Sequence, residues 1–265
     1  MMKKSILILL ACMVGTSGIV MADDFGTGIE LEATKKVNKK LKLSLSGEFR
    51  TQDGVSDVER FAIGFDASYK FYKKKGNPLE MSAAAGYTFI DRSIQPETKI
   101  REDEEGWDGE YVVGYWSQRH RAHGTVTASY KIGKRWTLSL RERYQFTHSM
   151  ADSVKQYKTY EAAPHNPYQL KKRLQSVGGK DKAYLRSRLQ LKWERKRCPW
   201  EPAASIEVFD DVKDGFKVNQ LRYTIGTDYN LGSNNTFGIA YRYKDKNDSD
   251  EAKGHLVKLS YTYKF

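Results

Sequence analysis

Arginine recurs at every second position in several short segments of this chain. Glu48 and Arg50, Arg119 and Arg121, Arg141 and Arg143, and Arg186 and Arg188 are spaced this way, and Glu207, Arg222 and Arg242 take the same polar phase of their own segments. Residues two apart on an extended chain point the same way, so each pair shares one face. Two chemistries follow. Arg and Glu can fill a narrow enclosed interior and satisfy each other's hydrogen bonds. Alternatively, because arginine outnumbers carboxylate in this set, the face can draw anions into a passage.

Other reactive types are present without the partners that chemistry needs. His148 and Ser149 sit together in a way that resembles the Ser-His pair of membrane-embedded acyl hydrolases. Adjacent strand residues point apart, however, and no orienting acid can be assigned. His120 and His123 have opposite phases and cannot both ligate one metal on a regular strand. Glu102, Asp103, Glu104, Glu105, Asp108 and Glu110 make an acidic loop that could hold a divalent cation between lipopolysaccharide phosphates. It lacks the spaced pattern of a dedicated calcium site and reads as a solvated loop. Cys198 stands alone once Cys12 leaves with an N-terminal leader, which removes any intramolecular disulfide. No catalytic residue, metal site or cofactor is expected.

The elements that carry these residues alternate apolar with polar. His255, Val257, Leu259, Tyr261, Tyr263 and Phe265 share one face of the final segment, opposite Leu256, Lys258, Ser260, Thr262 and Lys264. A strand of this length with one apolar face suits a tilted crossing of a thin bilayer. Its aromatic end, Tyr261, Tyr263 and Phe265, resembles the signal by which the outer-membrane assembly machinery recognises its clients. Ten further strands read the same way: Phe25 to Lys36, Leu41 to Gln52, Arg60 to Tyr72, Leu79 to Asp91, Gln118 to Ile132, Arg135 to Thr147, Ala183 to Arg195, Ala203 to Asp210, Lys217 to Asn230 and Asn235 to Lys244.

The N-terminus has the layout of a secretory signal peptide. Lys3 and Lys4 precede an apolar run from Ile6 to Val14, and Val20-Met21-Ala22 offers a cleavage site, so residues 1–22 are the leader and 23–265 the barrel. A lipoprotein reading of Leu9 to Cys12 would leave too short an apolar core. Beyond the leader no apolar run approaches the roughly 18 residues of a membrane-spanning helix. The mean hydropathy of −0.69 is that of a soluble chain, which a barrel also shows because its lumen-facing residues are polar.

The connections alternate in length. Val37 to Lys40, Lys73 to Pro78, Gly133-Lys134, Arg195 to Pro202 and Asn230 to Asn234 are short and basic or polar, whereas Arg92 to Ser117 and Phe146 to Lys182 are long. With Phe265 in the periplasm, all these short turns are periplasmic and the long loops face outward. Phe71, Trp136, Trp193, Tyr229 and Phe237 then mark one rim, and Phe61, Phe89, Tyr144, Phe146, Tyr241 and Tyr243 the other. The strand from Phe61 to Phe71 is about 33 Å long, and a tilt near 40° projects it to about 25 Å, the height of an apolar band. The formal charge of +12 is spread along strands and separate turns with no recognition motif, which speaks against nucleic acid as a partner.

Two segments are more specific than composition. Tyr115-Trp116-Ser117-Gln118-Arg119-His120-Arg121 leads through the Gly133-Lys134 turn to Ser139-Leu140-Arg141-Glu142-Arg143-Tyr144-Gln145-Phe146; later Leu185-Arg186-Ser187-Arg188-Leu189 precedes Ser205-Ile206-Glu207-Val208-Phe209. With the opening Asp24-Phe25-Gly26 and Lys39-Lys40-Leu41, the chain resembles DUF2490, a family of small bacterial outer-membrane barrels without an assigned activity. The resemblance implies fold and location only. The expectation is an all-β, closed antiparallel up-and-down transmembrane β-barrel in the outer membrane of a Gram-negative bacterium. Bacterial barrels have even strand numbers, so the eleven segments become twelve if a long loop hides a strand, or ten if Phe25 to Lys36 stands outside the wall. Its role would be structural or that of a narrow channel for small solutes, with anion preference. A lipid-modifying enzyme of the outer leaflet and a soluble lipid-carrying barrel are the alternatives. The expected partners are outer-membrane lipids and the assembly machinery.

Overall fold

Alternating segments become strands because each can bury one face and expose the other while its backbone pairs on both sides. The computed structural model describes residues 25–103, 106–162, 166–246 and 254–265. The expected leader over 1–22, with Cys12, lies outside them. Fifteen strands and no helix occur among the described residues. In chain order they are β1 (Phe25–Lys36), β2 (Leu41–Gln52), β3 (Asp57–Lys73), β4 (Leu79–Ile94), β5 (Glu97–Asp103), β6 (Gly106–Val112), β7 (Tyr115–Ile132) and β8 (Trp136–Ser149). They continue as β9 (Asp152–Ala162), β10 (Asn166–Val177), β11 (Lys180–Trp193), β12 (Trp200–Asp211), β13 (Lys217–Leu231), β14 (Asn235–Lys246) and β15 (Gly254–Lys264).

Eleven of these close into a barrel in the order β1-β15-β14-β13-β12-β11-β8-β7-β4-β3-β2. They are the eleven segments read from the alternation, and the count is therefore neither twelve nor ten. Parity fails at one seam. β1 and β15 pair parallel, Phe25 opposite His255 through Thr34 opposite Lys264, while every other wall pair is antiparallel. An odd number of up-and-down strands can close only with one such pair. The seam also sets the start of β1 at the opposite end of the barrel from the end of β15.

The two long connections are not structureless. β5–β6 and β9–β10 are hairpins that join as a four-stranded sheet, order β10-β9-β6-β5, beside the wall. Alternation missed them because segments such as Glu97–Asp103 and Asp152–Ala162 carry polar residues in both phases. Two strands were hidden between Arg92 and Ser117, so the sidedness of the wall is unchanged.

Turns at 37–40, 74–78, 133–135, 194–199 and 232–234 lie at one end of the barrel with Phe265; those at 53–56 and 212–216 lie at the other, with both long connections. Asn38 fixes the first turn, its Oδ1 accepting from the Lys40 and Leu41 amides at 2.8 Å. Gly133 takes φ +63° in the tight β7–β8 hairpin, a region a side chain makes costly. Pro202 was expected to end a turn, yet it lies within β12. It pairs with Thr227 of β13, and the β11 pairing begins only at Ala203, so its missing N–H is not required on that side.

The inside-out distribution of polarity is the main feature of the wall. Ile63 is 63% exposed and Ile225 62%, and Leu31, Leu45, Phe61 and Leu140 also face outward. The buried residues include Arg50, Arg60, Arg92, Arg186, Glu207 and Lys244. A water-soluble domain would reverse this. No described helix is long and apolar enough to cross a membrane, which says nothing of strands.

Candidate functional site: an arginine-lined lumen

The inward phase of the wall surrounds a cavity of about 400 Å³. Glu48, Arg50, Arg119, Arg121, Arg141, Arg143, Arg186, Arg188, Glu207, Arg222 and Arg242 all line it. Eleven arginines and two lysines face five carboxylates there, which gives the cavity a strongly positive interior.

Two carboxylates organise most of the neighbouring guanidiniums. Glu48 on β2 accepts from Arg60 Nε at 2.7 Å and from Arg50 Nη2 at 3.0 Å. Glu207 on β12 takes Arg186 Nη2 at 3.1 and 3.2 Å on its two oxygens, Arg222 Nη1 at 3.4 Å, and Arg141. Arg186 also donates to Gln145 Oε1 at 2.7 Å. Phe209, two residues along β12 on the same face, lies beneath Arg186 and Arg222, their guanidinium carbons 4.4 and 4.5 Å from the ring centre. Such a ring holds a cation against its face and offers it no counter-charge.

A third pair crosses a glycine. Asp66 on β3 meets His123 Nε2 on β7 at 2.7 Å, although β4 runs between them. The register places Gly86 there, and a Cβ on it would fall 2.5 Å from Asp66 Oδ1 and 2.6 Å from His123 Cε1. Only glycine lets the bridge pass. Lys258 pairs with Glu30 across the parallel seam.

Several of these residues escaped the sequence reading. Arg60 is the first residue of the strand expected over Arg60 to Tyr72, Arg92 lies one residue beyond that expected over Leu79 to Asp91, Lys258 holds the polar phase of its strand, and Phe209 is an apolar residue in a polar phase. The pairing of Asp66 with His123 has no signal in the sequence, because it depends on inter-strand register.

Candidates outside the lumen separate differently. His148 and Ser149 point to opposite faces: His148 Nδ1 meets Asp181 Oδ1 at 2.6 Å outside, whereas Ser149 pairs in register with the lumen residue Arg119. The hydrolase-like pair is therefore not assembled, although an acid for His148 does exist. His120 bonds Tyr87 Oη through Nδ1 at 2.5 Å on the outer face, and His123 points inward. The acidic segment forms β5–β6, and its side chains other than Glu110 lie outside the described residues. No metal-ligating cluster occurs among the described residues.

On the outer face, aromatic residues gather at both ends. Near the short turns, Trp136 pairs in register with Trp193, Trp200 packs on Tyr229 at 4.7 Å, and Phe237 on Tyr261 at 5.0 Å. Tyr263 meets Phe265 at 4.7 Å, and the Phe265 amide donates to Thr34 O at 2.9 Å. Near the loops, Phe61 stacks with Trp116 at 5.7 Å. Between the belts an acid, Glu142 on β8, faces outward and is hydrogen-bonded by Ser187 Oγ of β11 at 2.6 Å.

Among solved structures, the translocator domain of autotransporter NalP from Neisseria meningitidis aligns with 80% of this chain and 71% of its own, at 11% identity and a TM-score of 0.45. No curated protein matches. The model of the family described as protein of unknown function (DUF2490) matches residues 26–254, and the chain belongs to that family.

Proposed function

We propose that this protein is an integral barrel of the Gram-negative outer membrane that serves as a narrow, anion-preferring passage for small solutes. The observation that carries the reading is the cavity itself: thirteen basic side chains against five acids, inside a wall whose outside is apolar. A low-dielectric wall focuses that charge along the lumen and raises the local concentration of anions. The outward isoleucines, leucines and rings need hydrocarbon around them, which disfavours the soluble lipid-carrying barrel.

The orientation follows from the ends. Short turns rich in lysine and arginine face the periplasm against anionic phospholipid, and the hairpin sheet faces outward. Tyr261, Tyr263 and Phe265, on the outward face at the periplasmic end, serve as the segment the assembly machinery reads. The leader over 1–22 delivers the chain and is removed.

Planar-bilayer recording tests the passage. Refolded protein is expected to give small unitary conductance with reversal potentials favouring anions, and Arg141→Ala with Arg143→Ala is expected to reduce that preference. A silent bilayer would reject the passage and leave a structural role.

A further inference from the structure

We propose that the lumen contains a binding station for an oxyanion of the phosphate class, built on Arg143 and Arg188. The station rests on the anion-attracting reading of the lumen but does not require permeation.

β8 and β11 place Arg141 opposite Arg188 and Arg143 opposite Arg186, so four guanidiniums form a two-by-two block on adjacent strands. Like charges directly opposite one another repel, and the block therefore needs negative charge. Glu207 is in register with Arg188 and yet bonds Arg141 and Arg186, one diagonal of the block, together with Arg222. Among the described residues no carboxylate is hydrogen-bonded to the other diagonal, although Asp66 lies within electrostatic reach of Arg143. Arg143 donates to Thr125 Oγ1 at 3.0 Å, and Arg188 makes no hydrogen bond and leaves its buried Nε unmatched among the described residues.

Five guanidiniums thus crowd around Glu207, and Asp66, the acid that also acts on Arg143, is already bonded to His123. Residues diagonal across a strand pair are about 7–8 Å apart at Cα, within the reach of two arginine side chains converging on one small ion. A guanidinium presents paired N–H donors that match the oxygens of phosphate, whereas a halide uses neither the fork nor the second charge. Thr125 holds Arg143 in place, and the Glu207 carboxylate keeps Arg141 and Arg186 from competing for the ligand. The cavity of about 400 Å³ admits inorganic phosphate or a small phosphate monoester.

The test is calorimetric titration of the refolded full-length barrel in detergent, in chloride buffer of constant ionic strength, with inorganic phosphate in one arm and glycerol phosphate in the other. Saturable binding is expected, weakened about tenfold or more in Arg143→Gln with Arg188→Gln. Arg92→Gln with Lys182→Gln removes the same charge elsewhere in the lumen and is expected to weaken binding less than about threefold. Should the first double variant lose heat-modifiable gel mobility, Arg188→Lys keeps the charge without the fork, and an intermediate loss is expected. Tighter phosphate points to the free ion, and tighter monoester to a phosphorylated solute; either supports the station. No saturation in either arm, or equal loss in both double variants, would overturn it. Phosphate binding without conductance rejects the passage alone, and conductance without phosphate binding rejects the station alone.

Discussion

Glu207→Gln should destabilise this barrel more than any single charge removal on its surface. Glu207 is 4% exposed and its carboxylate accepts from three guanidiniums, two of which also lie over Phe209. Glutamine keeps the shape and one acceptor oxygen but removes the negative charge that Arg141, Arg186 and Arg222 are bonded to. Breaking a buried ion pair costs about 3–5 kcal/mol, and hydrogen bonds to charged groups contribute about 1.5–3 each. Water in the cavity screens part of this, so a net loss of about 3 kcal/mol is expected. Reversible urea unfolding of the barrel in detergent, followed by tryptophan fluorescence and gel mobility, measures it. Phosphate added to the variant should recover part of the loss. A change below about 1 kcal/mol would refute the idea that Glu207 is the charge that holds the arginine block together.

Other consequences can be measured on the purified barrel or on intact cells. Glu142 lies six residues from Trp136, about 15 Å along the barrel axis and so at the middle of the apolar band. Glu142→Leu with Ser187→Ala should raise stability by about 1–2 kcal/mol in the same urea assay; a loss would mean the pair is covered by something other than lipid. Gly86→Ala forces a methyl into the Asp66–His123 bridge and should cost about 1–3 kcal/mol, with wild-type stability refuting the close approach. Cys198, in the 194–199 turn, should resist a membrane-impermeant maleimide on intact cells, whereas Ser56→Cys in the 53–56 turn should react. The reverse labelling would invert the barrel.

Alternation alone located all eleven wall strands and placed eleven polar residues on one face, because a strand between lipid and lumen has to alternate and few other structures do. The same rule was blind to β5, β6, β9 and β10, where polar residues occupy both phases and break the alternation. Counting strands by parity failed as well, since the parallel meeting of β1 with β15 is a property of closure and of no single segment. Which arginines bond Glu207, which two of the block do not, and how Asp66 reaches His123 over Gly86 depend on registers between strands far apart in the chain. A side chain's phase is written locally, in the residues beside it; its partner is decided by hydrogen-bond ladders that form only when the sheet curls shut.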